Sequence, residues 1–289
     1  MLTIGSICAT NELLPISVDA SYRQHDKTAL FQKNMKSLFL FPLIVLLAAC
    51  STNSAKKSPT DEPTYTLIFI DKSLSVNTNQ AFARQKYADA IKTMLNETVR
   101  QPGDRIEVYF IHENTTKARA LSLTVRTTAD DLAGASPTDR ETAQTEFNLA
   151  LQRERAGFIQ QIISKLDQQN PGLSNQRTDI WGSLSAITRA NETGMAVQVL
   201  YLSDMIESMA GQPNRRDFHK TPPPTTAEAD AWATTDAALL GEQYAIGSPT
   251  IRLVLPFLPT APQRVNNPTI TRYWQTLFDK LGAGEVTED

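Results

Sequence analysis

The amino-acid sequence predicts an α/β protein with a doubly wound, mainly parallel central sheet, one antiparallel edge strand and helices on both faces. Three observations predict this class. The continuously apolar segments Thr64–Ile70 and Ala196–Leu202 are typical of strands covered on both faces. Such segments alternate with apolar residues at helical spacing, as in parallel sheets. The polar gap Glu113–Lys117 is short, and it therefore predicts an antiparallel hairpin, because a parallel return needs a crossover of about a dozen residues.

The first half of this domain gives clear strand and helix patterns. After Thr64–Ile70, apolar residues at helical spacing predict a helix from Phe82 to Val99. Alternating apolar residues then predict strands at Ile106–Phe110 and Leu121–Val125, on either side of the short polar gap. A long amphipathic helix follows, and the pair Thr138 and Glu141 has the spacing of a capping box at its start.

The second half continues the alternation. A shorter helix is predicted from about Asp179 to Ala190, followed by the strands Ala196–Leu202 and Ile251–Leu255 and a closing helix that ends at Gly282. Between the last two strands, residues 211–248 hold three consecutive prolines and are interpreted as an inserted surface loop with one short helix near 227–240. The predicted domain spans residues 64–283, with 284–289 as a tail.

Composition excludes several classes of protein. The 289 residues are 41% hydrophobic and 20% charged, which is typical of a globular chain with one large domain or two small ones. The net charge of −3 offers no basic face for nucleic acid. The two cysteines, Cys8 and Cys50, cannot form a framework of disulfides.

The N-terminal segment has the features of a secretory signal. The apolar run Leu38–Ala49 follows Lys33 and Lys36 and is shorter than the about 20 residues of a membrane-spanning helix. It ends in Leu-Ala-Ala directly before Cys50, which resembles the bacterial lipobox. We therefore expect residues 1–49 to be a mis-extended N-terminus, with translation starting at Met35, plus a lipoprotein signal peptide. A generic signal peptide with an incidental cysteine is the alternative.

The lipobox resemblance implies where the protein resides. Cys50 would carry lipid and become the first residue of the mature protein, on the membrane of a bacterial cell envelope. Ser51 in the next position favours the outer membrane. Residues 50–63 are polar and proline-bounded and are expected to be the lipidated cysteine and a flexible tether.

Polar residues follow two of the predicted strands, and another precedes a helix at the same edge of the sheet. Asp71, Ser73 and Ser75 come directly after the first strand, Thr178 precedes a helix, and Asp204 follows the strand Ala196–Leu202. Ligands of open α/β sheets bind beyond the carboxyl ends of the strands. Carboxylate and hydroxyl oxygens suit a hard cation such as Mg²⁺ or Mn²⁺. These five residues are therefore the candidate metal ligands.

This constellation resembles the metal-ion-dependent adhesion site of the von Willebrand factor type A (vWA) domain, which has a Rossmann-like fold. The family motif is Asp-x-Ser-x-Ser after the first strand, a threonine on a later loop and an aspartate after a later central strand, here Asp71, Ser73, Ser75, Thr178 and Asp204. Thr178 comes later in the chain than we expect for the family, and Ser174 is the competing hydroxyl. The resemblance implies that an Asp or Glu carboxylate of a partner protein completes the metal coordination.

Simpler interpretations of the same residues stay open. Asp71 could cap a turn, with the two serines satisfying backbone groups. Thr178 could be only the N-cap of the following helix, and Asp204 an ordinary loop carboxylate.

The expected function is therefore a lipid-anchored, Mg²⁺-dependent protein-binding domain that is not an enzyme. One alternative is a phosphohydrolase with Asp71 at its site, although Ser73 stands where such enzymes have a second acid. Another is a metal-free structural protein of the same fold.

Overall fold

The computed structural model describes residues 62–76, 80–174, 176–258, 260–262 and 265–289. The apolar run 38–49, Cys50 and Ser51 lie outside these residues, so the predicted signal peptide and lipid anchor are not part of the description. Among the described residues, no helix combines the length and the apolar character that crossing a membrane requires.

Strands and helices alternate along the described chain. The strands are β1 (Thr64–Asp71), β2 (Arg105–Ile111), β3 (Arg119–Thr124), β4 (Ala196–Leu202), β5 (Thr250–Val254) and β6 (Glu285–Glu288). The helices are α1 (Ala81–Thr98), α2 (Pro137–Leu166), α3 (Leu184–Asn191), α4 (Thr226–Gly241) and α5 (Pro268–Leu281), and short 3₁₀ turns lie at Thr115–Lys117 and Trp181–Ser183.

The strands form one mixed sheet in the order β3-β2-β1-β4-β5-β6. All neighbouring strands are parallel except β2 and β3, which pair in antiparallel orientation at one edge. The predicted fold class, including the antiparallel edge strand, is confirmed.

Helices cover both faces of the sheet, and β1 shows the division most clearly. Leu67 and Phe69 point to the layer of α3, α4 and α5, whereas Ile68 and Ile70 point to α1 and α2. Successive side chains of a strand point to opposite faces, so a strand buried on both faces must be apolar throughout. These side chains are fully buried, and each contributes roughly 2 kcal/mol through removal of its apolar surface from water.

The segment 211–248 is not only a surface insertion, because its helix α4 belongs to the core. Ala229, Ala233, Ala237 and Leu240 are buried in the same cluster as α5. The physical reason is topological: β4 and β5 are parallel neighbours, and parallel neighbours need a crossover helix. Alanine at helical spacing is a weak hydrophobic signal, and the sequence pattern therefore understates this helix.

The predicted tail 284–289 also takes part in the fold. Gly282 ends α5 in the left-handed conformation, with φ 105°, as its position after the last apolar residue predicted. The chain then turns, and β6 pairs with β5 in parallel. The strand was missed because its sequence, Glu-Val-Thr-Glu, has one apolar residue and no apolar run.

The start of α2 differs from the prediction by two residues. The N-cap is Ser136, whose hydroxyl accepts a hydrogen bond from the Asp139 amide and donates one to the Asp139 carboxylate. Pro137 occupies the first helical turn, where its missing N–H costs nothing. The capping interaction therefore involves this pair instead of Thr138 and Glu141.

Candidate metal centre

The chain topology brings the ends of β1 and β4 together at one crevice. β1 and β4 are parallel neighbours in the middle of the sheet, and the strand order reverses between them. At such a point the loops that follow the two strands lead to opposite faces and leave a crevice, which is where open α/β sheets bind ligands. Asp71 is the last residue of β1, and Asp204 lies two residues beyond β4.

Asp71 organises the loop after β1. Its side chain is fully buried. Oδ1 accepts a hydrogen bond from the Ser73 amide at 2.8 Å, and Oδ2 accepts one from the Ser203 hydroxyl. The hydroxyls of Ser73 and Ser75 lie 3.0 Å apart. The alternate spacing of the two serines therefore brings their oxygen atoms to one side of the loop, as a shared ligand would require.

Asp204 has an oxygen atom that is buried without a partner. Its Oδ1 accepts a hydrogen bond from the Ile206 amide at 3.1 Å, while Oδ2 is buried and receives no hydrogen bond from any described residue. Burial and, to a smaller extent, the charge of Asp71 raise the pKa of Asp204 to about 7, against the opposing effect of Ser75. An unpartnered buried carboxylate oxygen is costly unless a proton or a cation occupies it.

The pKa of Asp71 is raised as well. Burial is the largest cause, and the hydrogen bonds from Ser203 and Ser73 oppose it. Neither Asp71 nor Asp204 forms an ion pair with any lysine, arginine or histidine in the described part of the chain. The two carboxylates therefore create a site that favours positive charge.

Lys72, the cationic residue that follows Asp71 in the sequence, forms its hydrogen bonds away from the two aspartates. Its Nζ donates to the carbonyls of Lys165 and Leu166 at 2.7 and 2.9 Å, at the C-terminus of α2. The ammonium group also lies 5.0 Å from the centroid of the Phe110 ring. Burial lowers the pKa of Lys72 to about 8, against the opposing charges of Asp167 and Asp71. The partial negative charge at the C-terminus of α2 stabilises the ammonium group of Lys72 there.

The loop that carries Thr178 crosses above β1. The Thr178 amide and carbonyl pair with Ser208, which follows β4, and the Asp179 amide donates to the carbonyl of His112, which follows β2. Because β1 lies between β2 and β4, this loop must pass over the end where Asp71 lies. Thr178 is buried, but no hydrogen bond joins its side chain to the Asp71–Ser75 loop.

A cavity of about 580 Å³ opens beside the two serines. Its wall includes Ser73, Ser75 and Ser174, so the competing hydroxyl of Ser174 faces the same space. Thr178 is absent from this wall. Asp204 lines a smaller adjoining cavity of about 170 Å³. The structure thus brings Asp71, Ser73 and Ser75 together in one loop and Asp204 next to the Ser203 that contacts Asp71. Thr178 lies on the loop that crosses above and lines neither cavity.

The backbone after Asp204 is strained. Met205 has φ 60°, a left-handed conformation that non-glycine residues seldom adopt. Its amide donates to the Ser203 hydroxyl at 2.9 Å, and its carbonyl accepts the Trp274 indole N–H at 2.7 Å. Such strain persists only where the surroundings hold it, and it is frequent at functional sites.

A buried ionic cluster fixes the Thr178 loop. The carboxylate of Glu207 accepts hydrogen bonds from the Ile180 and Trp181 amides, and the guanidinium of Arg215 contacts both Glu207 and Asp179. Burial raises the pKa of Glu207 to about 7, and Arg215 opposes this. Sequence reasoning missed Ser203, Glu207 and Arg215, because their partners lie far away along the chain and form no local motif.

In the described ranges, no three His, Cys, Asp or Glu side chains come together as metal ligands. A cation at this edge would therefore depend on hydroxyl oxygens in addition to the two aspartates. Mg²⁺ accepts such a mixture, because it binds hard oxygen ligands and keeps several waters.

Comparison with known proteins gives only distant likenesses. No protein-family model matches the sequence, and no curated protein matches it. Among solved structures, proximal thread matrix protein 1 from the mussel byssus is 12% identical, with a TM-score of 0.35, over 78% of this chain and 43% of that one. The manganese-loaded TRAP protein of Plasmodium vivax is 8% identical, with a TM-score of 0.30, over 72% of this chain and 62% of that one.

In both cases the chain spans less than two thirds of the similar structure. Likenesses this distant carry no inference about function.

Proposed function

We propose that the protein is a vWA-type domain that binds a partner protein through Mg²⁺ or Mn²⁺. The observation that carries the proposal is the buried, unpartnered Oδ2 of Asp204 beside the buried Asp71. A divalent cation there would neutralise two carboxylates that lack any cationic side chain in contact. The topological crevice and the grouped serine hydroxyls support the same assignment.

The residues fit a hard cation. Asp204 would supply a carboxylate oxygen, and Ser73 and Ser75 would supply hydroxyl oxygens. Asp71, whose two oxygens already accept hydrogen bonds, would hold the serine loop in position. Thr178 would close the site from the loop above. When bound, Mg²⁺ offers a coordination position that a carboxylate of another protein can fill.

Burial of Asp71 favours a binding site over a phosphohydrolase. A nucleophilic carboxylate must reach its substrate, whereas Asp71 has no exposed surface and both of its oxygens are engaged. Ser73, at the second position after it, provides no general acid or base for the leaving group. A metal-free structural role remains the second candidate, and metal titration distinguishes it from the proposal.

The direct test is calorimetric titration of the purified chain with Mg²⁺ and Mn²⁺. We expect the wild-type protein to release or absorb heat on binding the metal, and Asp204→Asn to show no such heat. The amide removes the negative charge while keeping the shape of the side chain. Asp71→Asn should weaken the affinity by about tenfold or more, as loss of a supporting hydrogen-bonding group does. Asp71→Ala is less suitable, since it leaves the buried Ser203 hydroxyl without an acceptor for its proton.

Asp217→Asn is the matched control. Asp217 lines the same cavity but is paired with Ser208 and Lys220, so its metal heat should equal that of the wild type. Absence of heat in the wild type, or equal heat in wild type and Asp204→Asn, would favour the structural role.

The proposal includes a lipid anchor at Cys50 and a place in the bacterial cell envelope, with the outer membrane favoured by Ser51. Its support is the lipobox pattern of the sequence alone. A Cys50→Ala variant should lose its acyl chains and move from the membrane fraction to the soluble fraction. A Cys50→Ala protein that stays in the membrane fraction would contradict the anchor.

A further inference from the structure

The wall of the cavity beyond the serines carries an excess of positive side chains. Arg177 and Lys220 both line it and are exposed. Arg177 forms no ion pair within the described part of the chain. The acidic residue on this wall, Asp217, accepts a hydrogen bond from the Ser208 hydroxyl and lies 3.7 Å from Lys220. The cavity wall therefore carries one more positive than negative side chain, although the whole chain has a net charge of −3.

Two leucines stand exposed at the same opening. Leu74, between the two serines, lines the cavity and is 65% exposed, and Leu173, next to the cavity residue Ser174, is fully exposed. A single exposed leucine is ordinary on a protein surface. Two of them beside one polar cavity form an apolar rim, which is a common feature of protein-binding surfaces.

The two leucine loops are held together by the fold. Glu113 accepts hydrogen bonds from the Leu173 and Ser174 amides. The side-chain amide of Asn170 donates to the carbonyls of Lys72 and Ser174, and so connects the loop of Leu173 to the loop of Leu74. The surface is thus presented by a tied pair of loops, which lowers the entropy cost of binding.

We infer that this surface binds an acidic segment of the partner protein, with an apolar side chain next to the carboxylate that reaches the metal. The inference rests on the proposed function and adds the chemistry of the partner. One carboxylate would occupy the metal position, and further acidic side chains would face Arg177 and Lys220. The apolar side chain would pack against Leu74 and Leu173. Charge complementarity of this kind selects partners and speeds their association.

The test uses the full chain in detergent and three fluorescent peptides, with anisotropy as the readout. The first peptide has a leucine within a run of aspartates, the second keeps one aspartate and replaces the others by asparagine, and the third replaces them by lysine. We expect affinity to follow this order in the presence of Mg²⁺. Each variant is also titrated with Mg²⁺ alone, so that metal binding and peptide recognition are measured separately.

Two variants and one control sharpen the test. The double variant Arg177→Ser/Lys220→Ser should bind the acidic peptide about fivefold more weakly, since exposed charge pairs are individually weak. Leu74→Ser should cost a similar factor through lost apolar contact. The control Arg140→Ser/Arg153→Ser removes two exposed arginines of α2 and the same net charge, and should leave the affinity unchanged.

The outcomes separate the two proposals. Normal Mg²⁺ heat, together with equal binding of all three peptides, would overturn the inference and leave the proposed function standing. Equal losses in the double variant and in the α2 control would do the same. Absence of Mg²⁺ heat, or peptide binding that persists in chelator, would overturn both.

Discussion

Two neighbouring arginines, Arg215 and Arg216, have nearly the same surroundings and hold different parts of the molecule. Each guanidinium contacts a buried carboxylate, and each lies over a tryptophan ring, at 4.9 Å for Arg215 and Trp181 and 4.8 Å for Arg216 and Trp232. Arg215 contacts carboxylates of the loops at the carboxyl edge of the sheet. Arg216 instead contacts Asp236 of α4.

The difference lies in what the acidic partner connects. Asp236 also accepts a hydrogen bond from the Tyr273 hydroxyl at 2.8 Å, and so joins α4 to α5 inside the helical layer. Glu207 instead holds the loop that carries Thr178 over the candidate metal centre. One cluster therefore stabilises the scaffold, while the other positions the site. The separation predicts that stability and metal affinity respond to different substitutions.

The largest expected effect is a pH dependence confined to the metal edge. The folded-state pKa of Asp204 is about 7, above its ordinary value of 3.8. The protonated carboxyl therefore stabilises the fold fully below about pH 4, and this contribution, at most about 4 kcal/mol, is lost as pH rises through 7. We expect the free energy of unfolding in chelator, measured with urea, to fall over this range.

Asp204→Asn should flatten this pH dependence, because the amide does not titrate. Asp71 and Glu207, whose pKa values are also raised, contribute in the same direction. The difference between wild type and Asp204→Asn therefore reports Asp204 together with its interaction with Asp71. Saturating Mg²⁺ should also reduce the slope in the wild type, since the ion replaces the proton. If the free energy of unfolding depends on pH equally in wild type and variant in chelator, ionisation of Asp204 does not destabilise the fold and the prediction is wrong.

The next effect concerns the cluster of Arg216, Asp236 and Tyr273. Asp236→Ala should lower the free energy of unfolding by about 3 kcal/mol, because it leaves Arg216 and the Tyr273 hydroxyl without their buried partner. Metal affinity of the folded fraction should not change. Calorimetric titration well below the melting temperature checks this, and a weakened Mg²⁺ affinity would show that the helical layer and the metal edge are coupled.

The smallest effect compares the two arginines directly. Arg215→Met should lower the Mg²⁺ affinity by about tenfold, because the loop of Thr178 loses its support, whereas Arg216→Met should leave the affinity unchanged. Both methionines keep apolar contact with the tryptophan ring. Adding Glu207→Gln to Arg215→Met should recover stability without recovering affinity. Equal Mg²⁺ affinities in Arg215→Met and Arg216→Met would show that the two arginines do not differ in their support of the metal centre.

The sequence predicts most of this fold because β1 and β4 are continuous apolar runs and β2 has apolar residues at alternate positions. It also points to Asp71, the last residue of β1, and to Asp204, two residues beyond β4, as candidate ligands. It does not find β6, whose pairing depends on β5 instead of on its own apolar pattern, nor the core role of α4, whose buried face is largely alanine. The support of Thr178 is equally hidden, because Arg215 reaches Asp179 only through the tertiary fold.

Lys72 connects the crevice to the C-terminal end of α2. It belongs to the loop of the candidate metal centre, yet its ammonium group holds the carbonyls of the last turn of α2. A rearrangement of that loop on binding would be transmitted to the end of a 30-residue helix. An environment-sensitive dye on an exposed residue there, such as Gln168, should therefore change its fluorescence when the candidate metal centre is occupied. In Lys72→Met, which lacks the connection to α2, this change should disappear.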